Sequence, residues 1–442
     1  MTKRPYGGLA AGAAAIMLLA ACSGGGGGST TKPATVPTDP ASVSGDITVL
    51  TNRTDLVQDG TFKKYAAEFE KIYPKVKVTF QGITDYEGEV KIRMNTTKYG
   101  DVLDIPNALS IDQYPQFFSP LGKESELSKQ YRYTPQASYQ GTTYGIAQNG
   151  NVNGVVYNKT IWKQAGITDW PKTPDEFVAD LQAIKSKTAA IPYYTNYHDG
   201  WPVQNFGTSN VGSLTCDADA YDKLAKDKAP WADGKELNTI NSMLYTMVQD
   251  KLTEPDPTTT NWEKSKALIA TGKISSMLLG SWAVSQMQGA AKTAGTNPDD
   301  IGFMPFPAQV NGKYCAISGP DYHVGINKNS KYQAADRAWI DWFVNKSGYA
   351  QTQGDVPTPI KGAMPSFLAD FQKQDVTFLE TTPDSTGAVS KVDKASEIGV
   401  TTGPEPEQKL IDIARGAASG DKSSYFAQLN KEWAQGIQTA GE

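Results

Sequence analysis

The side chains able to carry acid–base chemistry in this chain are carboxylates, because only two histidines occur, His198 and His323. Imidazole-built metal centres and triads that need a histidine base have little to draw on. The sequence holds no Gly-x-Ser-x-Gly elbow, His-Glu-x-x-His helix or Cys-x-x-Cys pair, so no catalytic residue, metal or cofactor is assigned. Asp55, Asp85, Glu87, Asp112 and Asp321 could still supply two carboxyls about 5–10 Å apart, as a glycoside hydrolase requires. A lipid-anchored extracellular glycoside hydrolase is therefore the alternative reading, and an adhesive protein without a small ligand a third.

A second grouping points to recognition instead of turnover. Five polar clusters each follow an apolar run: Asn52-Arg53-Thr54-Asp55, Thr84-Asp85-Tyr86-Glu87, Asn107 with Asp112, Asn196-Tyr197-His198-Asp199-Gly200-Trp201, and Gly280-Ser281-Trp282. Amides and carboxylates bond vicinal hydroxyls in pairs, and an indole can lie against the C–H-rich face of a sugar ring. Each cluster alone is ordinary turn chemistry. Trp201 and Trp282 could equally be core residues, but both sit near a glycine at a strand end, which favours ligand contact. On that reading Trp282→Ala costs affinity and leaves stability nearly unchanged.

The elements that must position these groups alternate. Residues 46–51 read as a strand, Phe62, Tyr65, Phe69 and Ile72 recur at helical spacing, and Val76, Val78 and Phe80 return to a period of two. That is a βαβ unit. A helix over 87–97 and a strand over 101–105 follow. Thr173-Pro174-Asp175-Glu176 supplies an N-cap, a proline in the first turn and a capping-box glutamate. Helices are expected over 236–249 and 261–270, strands over 191–195 and 274–279, and a helix opening at Ser281 whose N–H groups face the adjoining loop. Tyr332, Ala335, Trp339 and Trp342 mark a further helix, and Phe426, Leu429, Trp433 and Ile437 the last. The fold class is α/β, with open, mostly parallel sheets flanked by helices. Ligands of such sheets lie beyond the carboxyl ends of the strands, where the five clusters stand.

At 442 residues, with 39% hydrophobic and 20% charged side chains, the chain suits two globular lobes. Its 42 basic and 47 acidic residues give a net charge of −5 without long runs of one sign, which argues against nucleic acid as a partner. Lys3, Arg4 and a short apolar run lead into Leu19-Ala20-Ala21-Cys22, the pattern of a lipoprotein signal with lipidation at Cys22. An ordinary signal peptide ending in a chance cysteine is the plainer alternative. Residues 22–45, rich in Gly, Ser, Thr and Pro, read as a flexible tether after a 1–21 leader. The expected location is the extracytoplasmic face of the cell membrane, lipid-anchored. Cys216 and Cys315 are read as two buried thiols, with a disulfide open to them outside the cytoplasm.

The chain resembles the extracellular solute-binding proteins of sugar ABC importers, the group that includes maltose-binding protein. The resemblance rests on Tyr73-Pro74, Gly100-Asp101-Val102, Tyr144-Gly145-Ile146, Val156-Tyr157-Asn158-Lys159, Ala165-Gly166-Ile167, Pro171, Thr173, Glu176-Phe177, Leu279-Gly280-Ser281-Trp282 and Gly302-Phe303-Met304-Pro305-Phe306-Pro307. It implies two lobes joined by hinge strands, one holding 46–148 plus 323–365 and the other 149–322 plus 366–442. A carbohydrate would be trapped between them by hinge closure and passed to ABC permease subunits by a monomeric binding protein. Trp282 matches a sugar-stacking aromatic, and Trp201 and Tyr197 fall where a second aromatic group sits; His198 is a candidate from its strand-end cluster alone. Asn52, Arg53, Asp55 and Asp85 fall on first-lobe loops that bind hydroxyls in the family, while Asn107 and Asp112 are candidates from their strand end alone. Gln148 and Asn149 lie on a crossing strand, where this sequence departs from the proline-containing form, and Asp321 is counted with them.

Overall fold

The computed structural model describes residues 33–107, 109–382 and 387–442. The expected leader, Cys22 and the tether as far as residue 32 lie outside the described residues.

Among the described residues two large sheets are built, beside a small antiparallel one of Gly122–Lys123, Thr142–Thr143 and Ser138–Tyr139. In the first, β1 (Ser44–Thr51) is flanked by β2 (Lys75–Gly82) and β3 (Val102–Asp104), both parallel to it. In the second, β5 (Gly150–Asn158) is central. β6 (Ser276–Gly280) and β7 (Ile301–Pro305) pair with it antiparallel, as does the end of β8 (Lys313–Pro320). The strand β4 (Gly145–Ala147) precedes β5, and β9 (His323–Ile326) follows β8. These two close the first sheet in the order β2-β1-β3-β9-β4, with β9 antiparallel to both neighbours. β10 (Thr377–Glu380) lies parallel to β8. The two-lobed α/β class is as expected. "Mostly parallel" describes β1–β3, whereas the second sheet is largely antiparallel because β5, entering from the first sheet, runs against every neighbour.

One apolar cluster packs the second sheet and two pack the first, one of them gathering Leu50, Tyr86, Val90, Leu103 and Phe118. Around the first, Phe62, Tyr65 and Phe69 of α1 (Thr61–Ile72) meet Trp339, Trp342 and Phe343 on a later helix. Phe62 stacks on Phe80 at 4.5 Å, and Trp339 on Phe343 at 5.3 Å. The second core gathers Val155, Val156, Phe177, Leu181, Met277, Leu278, Phe303 and Trp433. All five residues of β6 are buried, as its unbroken apolar run requires. Thr173 caps the helix Pro174–Lys187 by accepting from the Glu176 amide at 3.1 Å. The Glu176 carboxylate reaches back one residue further than a capping box prescribes, to the Lys172 amide at 2.7 Å.

Several expectations are corrected. No strand spans 191–195: Pro192 lacks an N–H, and the amides of Tyr193, Tyr194 and Thr195 bond to Leu252, Ser276 and Glu254 in turn. Only an isolated bridge joins Ile191 to Ile274. The helix expected over 87–97 is Tyr86–Arg93, because Asn95 and Thr96 turn their side chains onto the Ile92 and Arg93 carbonyls. The tether is shorter than expected: Ala34 and Val36 pack against the first core, and Val43 is buried. Cys216 and Cys315 form a disulfide, their Cα atoms 5.4 Å apart, so the reading of two free thiols is overturned.

Candidate functional site

The chain passes between the sheets at three places that meet at Gly150. The segment after β4 and the segment after β8 run antiparallel. Gln148 donates its amide to the Tyr322 carbonyl at 3.0 Å, and Asp321 its amide to Asn149 at 3.1 Å. The third passage closes with a reciprocal pair of 2.8 Å bonds between Gly150 and Val356. A Cβ at Gly150 would lie 2.3 Å from the Tyr133 ring, and Tyr133 hydrogen-bonds Ser318 at 2.6 Å. A glycine is thus required where three strands and a tyrosine crowd together.

Beside this junction opens a cleft of about 460 Å³, lined by Asn52, Arg53, Asp55, Asn151, Trp282, Ser285, Gln286, Asp321, Gln353 and Asp355. Both sheets contribute. Asn52 and Arg53 leave the carboxyl end of β1. Trp282, Ser285 and Gln286 form the first turns of α2 (Trp282–Ala294), which starts where β6 ends. Ser281 ties that start to β5 by exchanging bonds with the Val152 backbone. Gln353 and Asp355 flank Gly354, whose left-handed φ of +77° ends a short helix against Ser285. By contrast, the groove at Val248, Glu254 and Arg415 and the groove at Ile72, Tyr131 and Trp342 are each lined from one core alone.

Trp282 does not stand alone. Its ring centre is 5.6 Å from those of Trp201 and Trp262, which lie 5.0 Å from each other. Trp262 opens its own helix, with its amide bonded to the Asp199 carboxylate at 2.8 Å, and Lys266 sits over its ring. Trp282 is half-buried and Trp201 is 37% exposed. The expectation that Trp282→Ala would spare stability is therefore revised, since this indole supports two others.

Charge in the cleft is uneven. Arg53 forms a fork on Asp55, 2.9 and 2.7 Å, and also reaches the Tyr349 hydroxyl at 3.3 Å. This pairing holds the Asp55 carboxyl below its usual range. Asp355 accepts a short hydrogen bond from the Asn149 amide. Burial first, and then the Asp321 charge, push Asp355 up to about 7. The same two causes raise Asp104 to about 8. Burial also raises Asp321, opposed by Arg53. His323 is buried, its Nε2 2.9 Å from the Tyr133 carbonyl; burial outweighs that bond and lowers it to about 4. Among the described residues no group of three His, Cys, Asp or Glu could hold a metal.

The structure thus gathers Asn52, Arg53, Asp55, Trp282 and Asp321 around one cleft, with Trp201 touching Trp282 and Asn149 bonded to Asp355. Gln148 is buried beside Asp104 and Thr51. Others stand away from the lining. Tyr197 turns its hydroxyl to Asp412 at 3.0 Å, with Arg415 over its ring. His198 is exposed and anchored through its amide to Thr260. Asp85, Asn107 and Asp112 are exposed and do not line the cleft; the Asn107 amide and the Tyr322 hydroxyl both bond Glu87. Sequence reasoning passed over Asn151, Ser285, Gln286, Gln353, Asp355 and Trp262. The alternation Asn149, Asn151, Asn153 along a crossing strand was a usable signal, whereas nothing local marked Gln353 or Asp355.

The family model of bacterial extracellular solute-binding proteins matches residues 54–350. Among solved structures, the chain is similar to the BlMnBP1 binding protein of an ABC transporter from Bifidobacterium animalis subsp. lactis, in complex with mannobiose. Identity is 32%, with 91% of this chain and 96% of that chain covered and a TM-score of 0.79. A manno-oligosaccharide specific solute binding protein, BlMnBP2, from the same organism and in complex with mannotriose, is 30% identical with the same coverage and TM-score. The multiple sugar-binding protein of Streptococcus mutans is 24% identical over 318 residues, 69% of this chain and 73% of that protein. With a matching fold, a cleft between two lobes and this extent of similarity, the chain belongs to the bacterial extracellular solute-binding proteins.

Proposed function

We propose that this protein is the substrate-binding component of an ABC-type carbohydrate importer and captures an oligosaccharide, intact, in the cleft between its lobes. The observation that carries the reading is the cleft lining: an indole wall from the second lobe faces amide, guanidinium and carboxylate groups from the first lobe and the crossings. The sugar ligands of the two Bifidobacterium relatives agree with it. The proposed lobes are 46–148 plus 323–365 and 149–322 plus 366–442; the buried members of the apolar clusters support this division except at Val356, which packs with the second-lobe cluster. Only a ligand touching both lobes at once favours a closed arrangement. Asn52, Arg53, Asp55, Asn149, Asp321 and Trp282, with Trp201 beside it, are the proposed ligand contacts. Delivery to membrane permease subunits, a monomeric state and anchoring through lipid on Cys22 complete the proposal.

Calorimetric titration with mannotriose, followed by chromatography of the recovered sugar, tests it. The expected result is saturable one-to-one binding with the sugar unchanged and a raised unfolding temperature. Shortened products would favour a glycoside hydrolase, and no response to any oligosaccharide would remove the reading.

A further inference from the structure

Hydrogen-bonding capacity in the cleft is lopsided. Asn52, Asn151 and Asp355 line it, and Asn149 bonds Asp355; the Oδ1 atoms of all four are buried acceptors without a partner among the described residues. The Asn149 amide is oriented by its bond to Asp355, so its oxygen is the end left over. Among the described residues a single buried donor nearby, Gln148 Nε2, is unmatched. Buried polar atoms left without partners are costly, so a ligand gains most by supplying what is missing. Here that is O–H or N–H.

The charges agree independently. Among the described residues Arg53 is the only cation lining the cleft, and both arms of its fork are held by Asp55. Asp321 and Asp355 line the same cleft, and Asp104 is buried close enough to feel the Asp321 charge. We infer that the cleft selects neutral, hydroxyl-donating oligosaccharides and rejects uronate, sulfated or phosphorylated sugars. An anionic group would displace a donor, find no free cation and face carboxylates that already repel one another. This rests on the carbohydrate-binding reading above and adds to it the ligand's charge class.

The test compares neutral mannotriose, raffinose and diacetylchitobiose with trimannuronate and trigalacturonate, by calorimetry on the purified chain at pH 7.5. Mannotriose and trimannuronate share a ring skeleton and differ in a carboxylate for the hydroxymethyl group on each of the three rings. The best neutral sugar is expected to bind at least about tenfold tighter than either uronate. A smaller ratio overturns the inference while leaving carbohydrate binding intact, whereas no binding by any of the three neutral sugars overturns both. The unmodified chain decides the matter without a variant. Asp355→Asn, first shown to be folded by circular dichroism, is expected to narrow the ratio at least about threefold, and an unchanged ratio removes Asp355 from the selection.

Discussion

Replacing Trp282 with alanine separates the two roles its position gives it. The indole lines the cleft and also lies 5.6 Å from both Trp201 and Trp262. Aromatic pairs of this kind are worth about 0.5–1.5 kcal/mol each, so losing two costs roughly 1–3 kcal/mol of stability. For a lobe of this size, that lowers the melting temperature by about 2–4 °C per kcal/mol. Tryptophan anchors in binding sites contribute about 2 kcal/mol or more, so affinity for mannotriose should fall about thirtyfold. Trp262 makes two comparable ring contacts yet does not line the cleft. Trp262→Ala should therefore match the stability loss with a clearly smaller loss of affinity. Calorimetric titration and thermal unfolding of the unliganded variants give both quantities. If Trp282→Ala melts lower but binds within threefold of the parent, the indole is core alone and the reasoning fails.

Other outcomes follow from single features. Replacing Cys216 and Cys315 together by alanine removes a link across 99 residues and should cost about 2–4 kcal/mol in urea unfolding; an unchanged midpoint would contradict a formed bridge. Asp104, Asp355 and Asp336 carry folded values of about 8, 7 and 7 against an ordinary 3.8, all raised chiefly by burial. The folded state then holds more protons than the unfolded one, and stability falls as pH rises between about 6.5 and 8.5. His323, depressed to about 4, acts in the opposite sense only below its ordinary 6.5, so a melting temperature that rises across that window would refute the assignment. Gly150→Ala, which drives a methyl into Tyr133, should destabilise the chain by about 1–3 kcal/mol, with stability indistinguishable from the parent as the contrary result. Cys22→Ser should move the protein from the membrane fraction to the medium, and retention at the membrane would argue against lipid on that residue.

Local chemistry that repeats along the chain was legible before any coordinates. The βαβ start, the Thr173 cap and the buried run of β6 each follow from spacing and a capping or breaking residue. Asn52, Arg53 and Trp282 could be picked out because strand ends face ligands in this class of fold. Asp355 could not, since its place depends on a third passage pairing Val356 with Gly150, more than 200 residues earlier. The turning away of Tyr197 likewise depends on Asp412 and Arg415, which arrive from a distant helix. Trp262 was read only as part of a helix start, and its ring joined the other two through packing that no periodicity encodes. The disulfide followed the same pattern, decided by two loops meeting and not by cysteine spacing.

The account stands most directly on a crystal structure of the chain with a neutral oligosaccharide. It predicts an uncleaved sugar against Trp282 on one side, with hydroxyls donated to Asn52, Asn151 and Asp355 on the other. A sugar bound outside this cleft, or hydrolysed within it, would contradict the account.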